Sequence, residues 1–320
     1  MSGKCRVGHA VAVTAAGFLV FLASFNLVLA QSAPRQNAAP GVPTFRTQAK
    51  EVQITFAASD HNDRVIATLN ASDFAVVDKD FIVRNFRSFR RAEYTRLDVA
   101  ILMDNSDSIA PRFQEEIAQT INLISETAGV PEQSISIVSF HGAQPAVICQ
   151  ATCVGEQTAK LISTSTRGTM TPLFDTLAFT ADLLSRKSDL QAPDPKVRKV
   201  AIVISDGEDT ISRKSAGEAV AELVANDVHV YTLDVNRPGS SNGGMFLKKL
   251  AYATGGQSFR LSDKASAVAD AVLADFRNSY QVTYHLPDSS AGFHSIRILP
   301  THNLNLIFRC RQGYVDPSGR

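Results

Sequence analysis

The sequence lacks tryptophan, has four cysteines among 320 residues, and nowhere concentrates its basic side chains. Its formal net charge is +1, and 20% of its residues are charged. Proteins that bind nucleic acid carry a basic patch or stripe, so this charge distribution excludes nucleic acid as a partner. A glycine-rich phosphate loop is also missing, which argues against nucleotide chemistry. What remains is a chain with 44% hydrophobic residues, enough for a packed core.

The N-terminus has the pattern of an export signal. Lys4 and Arg6 form a basic start, and the stretch 10–30 is almost wholly apolar and ends in small residues suited to cleavage. That stretch is also close to the ~20 residues that span a bilayer, so an uncleaved anchor is an alternative. Residues 31–50 are rich in Gln, Ala, Pro and Asn, which predicts a linker. We therefore expect an exported protein, periplasmic or extracellular, that contacts the membrane only if the segment is retained.

The cysteines after this segment are Cys149, Cys153 and Cys310, and an exported location permits disulfides. A bond between Cys149 and Cys153 closes a very short loop. A bond from either to Cys310 would close a longer loop and stabilise the chain more on the chain-entropy model. Zinc is a further alternative, although no paired Cys or His motif accompanies these residues. The local Cys149–Cys153 pairing is the favoured prediction. Cys5 precedes the apolar stretch and does not stand where a lipoprotein signal needs it.

From Leu97 to about Tyr280, short apolar runs alternate with amphipathic stretches. This alternation predicts a parallel sheet with crossover helices. The predicted strands are 97–103, 134–140, 145–149, 199–205, 228–234 and 257–261. The predicted helices are 109–127, 171–187, 213–226, 244–254 and 264–279, with Gly255-Gly256 as a C-cap. The expected fold class is therefore α/β, with a doubly wound, mostly parallel sheet.

The two flanks of this core differ from it, because strand-like runs with turn residues between them replace the alternation. Strands are expected at 51–58, 64–69, 73–78, 81–90, 280–286, 293–299 and 303–310. Each flank has too few residues for a core of its own. We therefore expect the two flanks to pack together as one small β module beside the α/β domain.

Three clusters of oxygen-bearing side chains stand at the ends of these elements. Residues 104–108 (Asp-Asn-Ser-Asp-Ser) and 205–207 (Ser-Asp-Gly) follow strands, and residues 169–173 (Thr-Met-Thr-Pro-Leu) open a helix. The carboxyl ends of parallel strands meet at one edge of an open sheet, where ligands bind, so the clusters should converge. Carboxylates and hydroxyls suit Mg²⁺, Ca²⁺ or Mn²⁺ rather than zinc or copper. Taken singly, each cluster has an alternative as a helix cap or a plain turn.

Taken together and in this order, the clusters resemble the metal-ion-dependent adhesion site of von Willebrand factor type A domains, which integrin I domains share. The family motif is Asp-x-Ser-x-Ser, then a Thr before a helix, then an Asp that usually precedes Gly. The resemblance implies a site for Mg²⁺, or for Mn²⁺ or Ca²⁺, at which a protein partner docks a Glu or Asp. The metal ligands that it implies, the carboxylates directly or through water, are Asp104, Ser106, Ser108, Thr171 and Asp206.

Two positions depart from the family pattern. Asp107 stands where the family usually has Gly, and its carboxylate should favour the metal while repelling an incoming acidic side chain. In the second cluster Thr169 competes with Thr171, and Thr171 is chosen because Thr-Pro-Leu-Phe-Asp best matches the family's helix start. Glu208 and Asp209 are interpreted as solvated loop charges, with a role at the rim of the site as the alternative.

The flanks also resemble bacterial von Willebrand A-related proteins, best known from Acidobacteria. The segments that carry this resemblance are 69–78, 86–89, 276–284 and the closing Arg-x-Gly-Tyr at 311–314. The expected organisation is a signal peptide at 1–30, a linker at 31–50, a β flank at 51–95, the type A domain at 96–280 and a second β flank at 281–317.

These observations predict an exported protein that uses its metal site to bind an acidic group of a protein partner and that is not an enzyme. A structural envelope domain with a degenerate metal site is the alternative. A metal-dependent hydrolase would need a base, for which Asp107 or Glu208 is available. The histidines, among them His141, His229 and His294, lie in different segments and form no ligand pair. No catalytic residue and no cofactor besides the metal are therefore predicted.

Overall fold

The computed structural model describes residues 50–94, 96–107, 132–151, 153, 160, 167–189, 197–236, 242–260, 265–288 and 290–316. The strands are β1 Glu51–Ser59, β2 Phe74–Asp78, β3 Phe81–Val83, β4 Ser88–Arg91, β5 Arg96–Asp104, β6 Glu132–His141, β7 Gln144–Ala151, β8 Val197–Ser205, β9 Val228–Asp234, β10 Ser258–Arg260, β11 Tyr280–His285, β12 Gly292–Pro300, β13 Ile307–Cys310 and β14 Gly313–Asp316. The helices are α1 Leu173–Asp189, α2 Ala216–Ala225, α3 Asn242–Thr254 and α4 Ala265–Asn278. In these ranges no helix has the length and apolar character to cross a membrane. The predicted signal segment, the predicted helix 109–127 and all of the predicted linker except Lys50 lie outside them.

A six-stranded sheet forms the centre of the α/β domain, in the order β10-β9-β8-β5-β6-β7. All neighbouring strands are parallel except β7, which runs antiparallel to β6 at one edge. The predicted α/β fold with a mostly parallel sheet is therefore confirmed. Each of the six strands and the four described helices overlaps its predicted range.

The side chains of β5 divide between two cores, one on each face of the sheet. Leu97, Val99 and Ile101 belong to the core that α4 covers, whereas Ala100 and Leu102 belong to the core that α1, α2 and α3 cover. Successive side chains of a strand point to opposite faces, so a strand covered on both faces is apolar throughout. This burial is why residues 99–103 of β5 are a continuous apolar run, which leads to Asp104 at the edge of the sheet.

Both flanks contribute strands to two further four-stranded antiparallel sheets, in the orders β13-β1-β11-β4 and β14-β12-β2-β3. The inward residues of the two sheets form one core that includes Phe56, Phe74, Tyr280 and Tyr284. Burying these aromatic rings stabilises the β module, because neither flank has an apolar core of its own. The predicted β module built from both chain ends is confirmed, and its exact boundaries stay predictions.

The flank strands differ from the prediction in three places. Residues 64–69 form only an isolated bridge, between Val65 and Ser59, rather than a strand. The Asp60 carboxylate accepts the N–H of Asn62 and of Arg64 and holds the turn before this bridge. The stretch 81–90 is two strands, since β3 pairs with β2 in one sheet and β4 with β11 in the other. β14, which pairs with β12, was not predicted, because four residues that begin with glycine give little signal.

Cys149 and Cys153 are joined by a disulfide, with their Cα atoms 5.7 Å apart. The thiol of Cys310 is free. The bond therefore lies where the short-loop alternative placed it, and it links the edge strand β7 to the residues that follow it.

Helix α3 ends at the predicted glycine pair, in a Schellman motif. Gly255 has a positive φ of 80°, and its N–H donates to the carbonyl of Tyr252 while that of Gly256 donates to Ala251. A Cβ on Gly255 would lie 2.7 Å from the carbonyl carbon of Cys310. The end of α3 is thus in backbone contact with β13 of the β module.

Candidate metal centre

The first loop of the site begins at Asp104, the last residue of β5, which is 1% exposed. Its Oδ1 accepts the Ser106 N–H at 2.9 Å, and its Oδ2 accepts the Ser205 hydroxyl at 2.6 Å. The Asn105 amide donates to the Ser139 hydroxyl on β6 at 2.9 Å. These bonds hold the Asp-Asn-Ser turn at the carboxyl ends of three adjacent strands.

The second loop is bonded to the first through the main chain. Ser106 and Gly168 form a parallel bridge, with the Asp107 N–H donating to Gly168 at 2.9 Å and the Gly168 N–H donating to Asn105 at 3.3 Å. A Cβ on Gly168 would lie 3.2 Å from Nδ1 of His141. Because His141 ends β6, the second loop sits against this strand as well.

The third loop is bonded to the second by two reciprocal hydrogen bonds. The Thr171 N–H donates to the Thr210 hydroxyl at 2.7 Å, and the Thr210 N–H donates to the Thr171 carbonyl at 2.9 Å. The Asp209 carboxylate accepts the Phe174 N–H in the first turn of α1 at 3.1 Å. Asp209 therefore caps a helix, so its interpretation as a solvated loop charge was wrong.

Thr171 is buried, whereas Thr169 is exposed.

Two glycines fix the position of Asp206. Gly207 has a φ of +80°, and a Cβ on it would lie 2.3 Å from the Gly243 carbonyl oxygen. A Cβ on Gly243 would in turn lie 2.2 Å from the carbonyl oxygen of Asp206. Only residues without a side chain allow the first turn of α3 to approach the third loop this closely.

The three segments 104–107, 167–171 and 205–210 are called the metal loops below. Hydrogen bonds connect each of them to the other two, because Ser205 also bonds the third loop to the first. Of the predicted ligands, the metal loops contain Asp104, Ser106, Thr171 and Asp206. Ser108 lies outside the described residues. That these side chains bind a metal stays a prediction.

Burial raises the pKa of Asp104 to about 6, and the nearby negative charge of Asp206 adds to the effect. Hydrogen bonds from Ser205 and Ser106 oppose the shift without cancelling it. In the part of the chain that the structure describes, no Lys, Arg or His forms an ion pair with Asp104. A buried carboxylate with an anionic neighbour and no cation is an arrangement that a bound divalent cation would stabilise.

The donor set fits a hard divalent ion, since it combines two carboxylates with hydroxyl oxygens. No group of three or more His, Cys, Asp or Glu side chains that could hold a metal occurs among the described residues. This is consistent with the predicted ligand set, in which only two residues are Asp and the other three are Ser or Thr.

Sequence reasoning included Ser205 in the Ser-Asp-Gly cluster but gave it no role in the site. Met103 and Ile204 are paired in the parallel register of β5 and β8, so the next residues, Asp104 and Ser205, stand side by side. The serine was visible in the Ser-Asp-Gly cluster, but only the register of β5 and β8 shows that it lies beside Asp104.

The buried histidines serve the core and not the metal loops. His229 on β9 is 2% exposed, and neither of its ring nitrogens has a hydrogen-bond partner in the described ranges. Burial, with the positive charge of Arg198, lowers the pKa of His229 to about 3. His294 on β12 lies 3.1 Å from Oδ1 of Asp78 in the β module.

The von Willebrand factor type A domain family matches residues 98–273 of this chain. No curated protein matches the sequence closely enough to count as a relative. Among solved structures, BatB from Bacteroides thetaiotaomicron is 18% identical over 56% of this chain and 98% of its own, with a TM-score of 0.41. An aerotolerance-related membrane protein from Bacteroides fragilis NCTC 9343 is 16% identical over 57% of this chain and 98% of its own, with a TM-score of 0.40.

Proximal thread matrix protein 1 from the mussel byssus, whose structure has a zinc-occupied metal-ion-dependent adhesion motif, is 16% identical over 62% of this chain, with a TM-score of 0.43. The match covers 49% of the mussel protein, so this chain spans about half its length. None of these resemblances assigns a ligand or a partner to the present chain.

Proposed function

Because the chain belongs to the von Willebrand factor type A domain family, we propose that its metal loops form a metal-ion-dependent adhesion site of the Mg²⁺ type. The function of the site is to bind a Glu or Asp side chain of a protein partner. Domains of this family mostly bind other molecules rather than catalyse reactions. The observation that carries the proposal is Asp104, a buried carboxylate for which the described residues supply hydrogen bonds but no cation.

The chain's own residues have distinct roles in this proposal. Ser106, Ser108 and Thr171 contribute neutral hydroxyl oxygens, while Asp104 and Asp206 contribute the negative charge. When bound, the divalent ion supplies an open coordination position to the partner's carboxylate. The hydrogen bonds among the metal loops hold the donors in place beforehand, which lowers the ordering cost of binding.

The site of action follows from the N-terminal segment. The basic start and the apolar stretch 10–30 support export to the periplasm or the cell exterior. The closing Arg-x-Gly-Tyr at 311–314 and the aromatic strands of the β module support the narrower resemblance to acidobacterial type A proteins. Both assignments are part of the proposal.

Calorimetric titration of the exported chain with Mn²⁺ and with Mg²⁺ tests the metal site. Thr171→Val removes one hydroxyl at nearly constant volume and should weaken Mn²⁺ binding about tenfold or more, since outer-shell changes alone cost about 10–100-fold. Thr169→Val is the matched control and should bind Mn²⁺ like the wild type, because Thr169 is exposed two residues away.

A wild-type chain that takes up no Mn²⁺ or Mg²⁺ at millimolar concentration would instead be a structural domain with a degenerate site. An equal loss in Thr169→Val and Thr171→Val would contradict the assignment of Thr171.

A further inference from the structure

The metal loops contain a single basic residue. Within their residues the only Lys, Arg or His is Arg167, whereas five residues are Asp or Glu. Nη2 of Arg167 donates to the Ser106 carbonyl at 3.1 Å and lies 3.5 Å from the Asp107 carbonyl oxygen. The guanidinium is therefore attached to the main chain of the turn that contains a predicted metal ligand.

The contact of Arg167 with the Asp107 side chain is of a different kind. Nε of Arg167 and Oδ1 of Asp107 are 3.8 Å apart, which is beyond hydrogen-bond distance. The Asp107 side chain is 56% exposed, and that of Arg167 is 27% exposed. Exposed ion pairs of this kind contribute little to stability. Asp107 can therefore leave the guanidinium at small cost, whereas the main-chain contacts keep Arg167 in place.

We propose that Arg167 is a specificity-determining residue of the metal site. Its guanidinium is a second anchor for the carboxylate of an acidic partner, and Asp107 occupies this anchor while no partner is bound. The inference rests on the proposed function, because it concerns the same site and the same class of ligand. A guanidinium holds a carboxylate through charge-assisted hydrogen bonds, which are stronger than neutral ones.

The charges of the site explain why a second anchor is needed. Asp107 and Glu208 are exposed on the metal loops, and both repel an approaching acidic side chain. Asp209 does not add to this repulsion in the same way, because its carboxylate caps α1. Arg167 offsets one of the two exposed charges. The same positive charge opposes a bound cation, so Arg167 should act with opposite signs on the metal and on the acidic ligand.

The test uses the exported chain and two probes in sequence. Mn²⁺ alone is titrated first, and then, at saturating Mn²⁺ and low salt, a short peptide with one Glu among Gly and Ser residues. The same peptide with Gln in place of Glu controls for contacts that do not involve a carboxylate. The protein variants are Arg167→Gln, Arg167→Lys and Asp107→Asn.

Arg167→Gln should weaken the Glu peptide about tenfold and leave Mn²⁺ binding unchanged or up to about threefold tighter. Asp107→Asn should do the reverse, with tighter peptide binding and weaker Mn²⁺ binding. Arg167→Lys keeps the charge but loses the planar fork, so its peptide affinity should fall between the wild type and Arg167→Gln. A damaged fold would weaken both probes together, so opposite signs cannot arise from misfolding.

Three other results would each overturn a different part of the proposal. Absence of Mn²⁺ binding by the wild type would overturn the proposed function itself. Mn²⁺ binding without preference for the Glu peptide over the Gln peptide would overturn recognition of acidic partners, and the anchor with it. Mn²⁺ binding and Glu preference that are both unchanged in Arg167→Gln would overturn the role of Arg167 alone.

Discussion

Two buried carboxylates, one in each half of the molecule, are surrounded in opposite ways. Asp78 in the β module is fully buried and has three partners, the hydroxyls of Tyr284 and Tyr314 and Nδ1 of His294, at 2.8 to 3.1 Å. Asp104 at the edge of the α/β sheet is almost as deeply buried, yet its partners are the side chains of Ser205 and Ser106 and a main-chain N–H.

Two further buried aspartates, Asp98 and Asp275, resemble Asp78 rather than Asp104. Asp98 pairs with Arg96 at 2.9 Å, and Asp275 pairs with Arg309 at 2.8 Å. Since a buried charge is costly unless it is paired, these acids are structural, with their cationic partner supplied by the chain itself. Asp104 differs because the described residues supply it with hydrogen bonds but with no cation. Under the proposed function, the missing cationic partner, and not burial as such, distinguishes a metal-binding carboxylate from a structural one.

The largest expected effect is on the structural side. Asp78→Ala leaves the hydroxyls of Tyr284 and Tyr314 and the ring of His294 without their common acceptor, so the free energy of unfolding should fall by about 3–5 kcal/mol. Chemical denaturation measures this loss. The control is Asp288→Ala in the same module, an acid paired with Lys79 near the surface at 3.2 Å. It should leave the free energy of unfolding nearly unchanged, because exposed ion pairs contribute little to stability. Similar losses in the two variants would show that Asp78 is not a structural centre.

The corresponding change at the candidate metal site should behave differently. Without metal, Asp104→Asn removes a buried charge and should raise the free energy of unfolding by about 1 kcal/mol at pH 7, or leave it unchanged. The pKa of Asp104 is higher in the folded chain than in the unfolded chain, so ionisation destabilises the fold as the pH rises through about 6. The benefit of the substitution should therefore disappear near pH 4.

Added Mg²⁺ should increase the difference in stability between the wild type and Asp104→Asn. At a Mg²⁺ concentration of about 100 times Kd, the wild type should gain about 2.7 kcal/mol, and Asp104→Asn should gain nothing. Thermal unfolding with and without a chelator measures the difference. If Asp104→Asn destabilises the metal-free chain as strongly as Asp78→Ala does, the distinction between the two acids is lost.

His229 extends the comparison to a buried base that has no acid at hydrogen-bond distance among the described residues. Its pKa, about 3 in the folded chain, lies below the ordinary value of 6.5, so below pH 6.5 only the unfolded chain takes up the proton. Stability should therefore fall as the pH falls from 7 to 5, by about 2 kcal/mol from this group. His229→Leu should remove that part of the pH dependence, whereas His61→Gln, at an exposed histidine, should retain it. Parallel pH profiles for wild type and His229→Leu would refute the assignment.

The elements that the sequence predicted best are those that are buried along their whole length. β5 is covered on both faces, and its apolar run 97–103 misses the observed strand by one residue at each end. β14 and the division of 81–90 were not foreseen, because both depend on which sheet a short segment joins. Local patterns describe exposure along a strand, but they do not specify its neighbours.

The same limit applies to the metal loops. Asp104 and Asp206 were recognised because each stands at the end of an apolar run, which is a local signal. The bonds that hold them were not predictable in that way. The Asp209 cap on α1 joins residues 35 positions apart, and the Ser205 bond to Asp104 joins residues 101 positions apart. Such contacts become visible only when the register of the parallel strands is known.

Helix α3 connects the metal loops mechanically to the far side of the molecule. At its start, Gly243 touches the main chain of Asp206, and at its end, Gly255 touches the main chain of Cys310. Thirteen residues of helix span about 20 Å, and both contacts are backbone against backbone. Under the proposed adhesive function, these contacts would make α3 a strut. Tension applied through β13 would then reach the loop of Asp206 through contacts between backbone atoms.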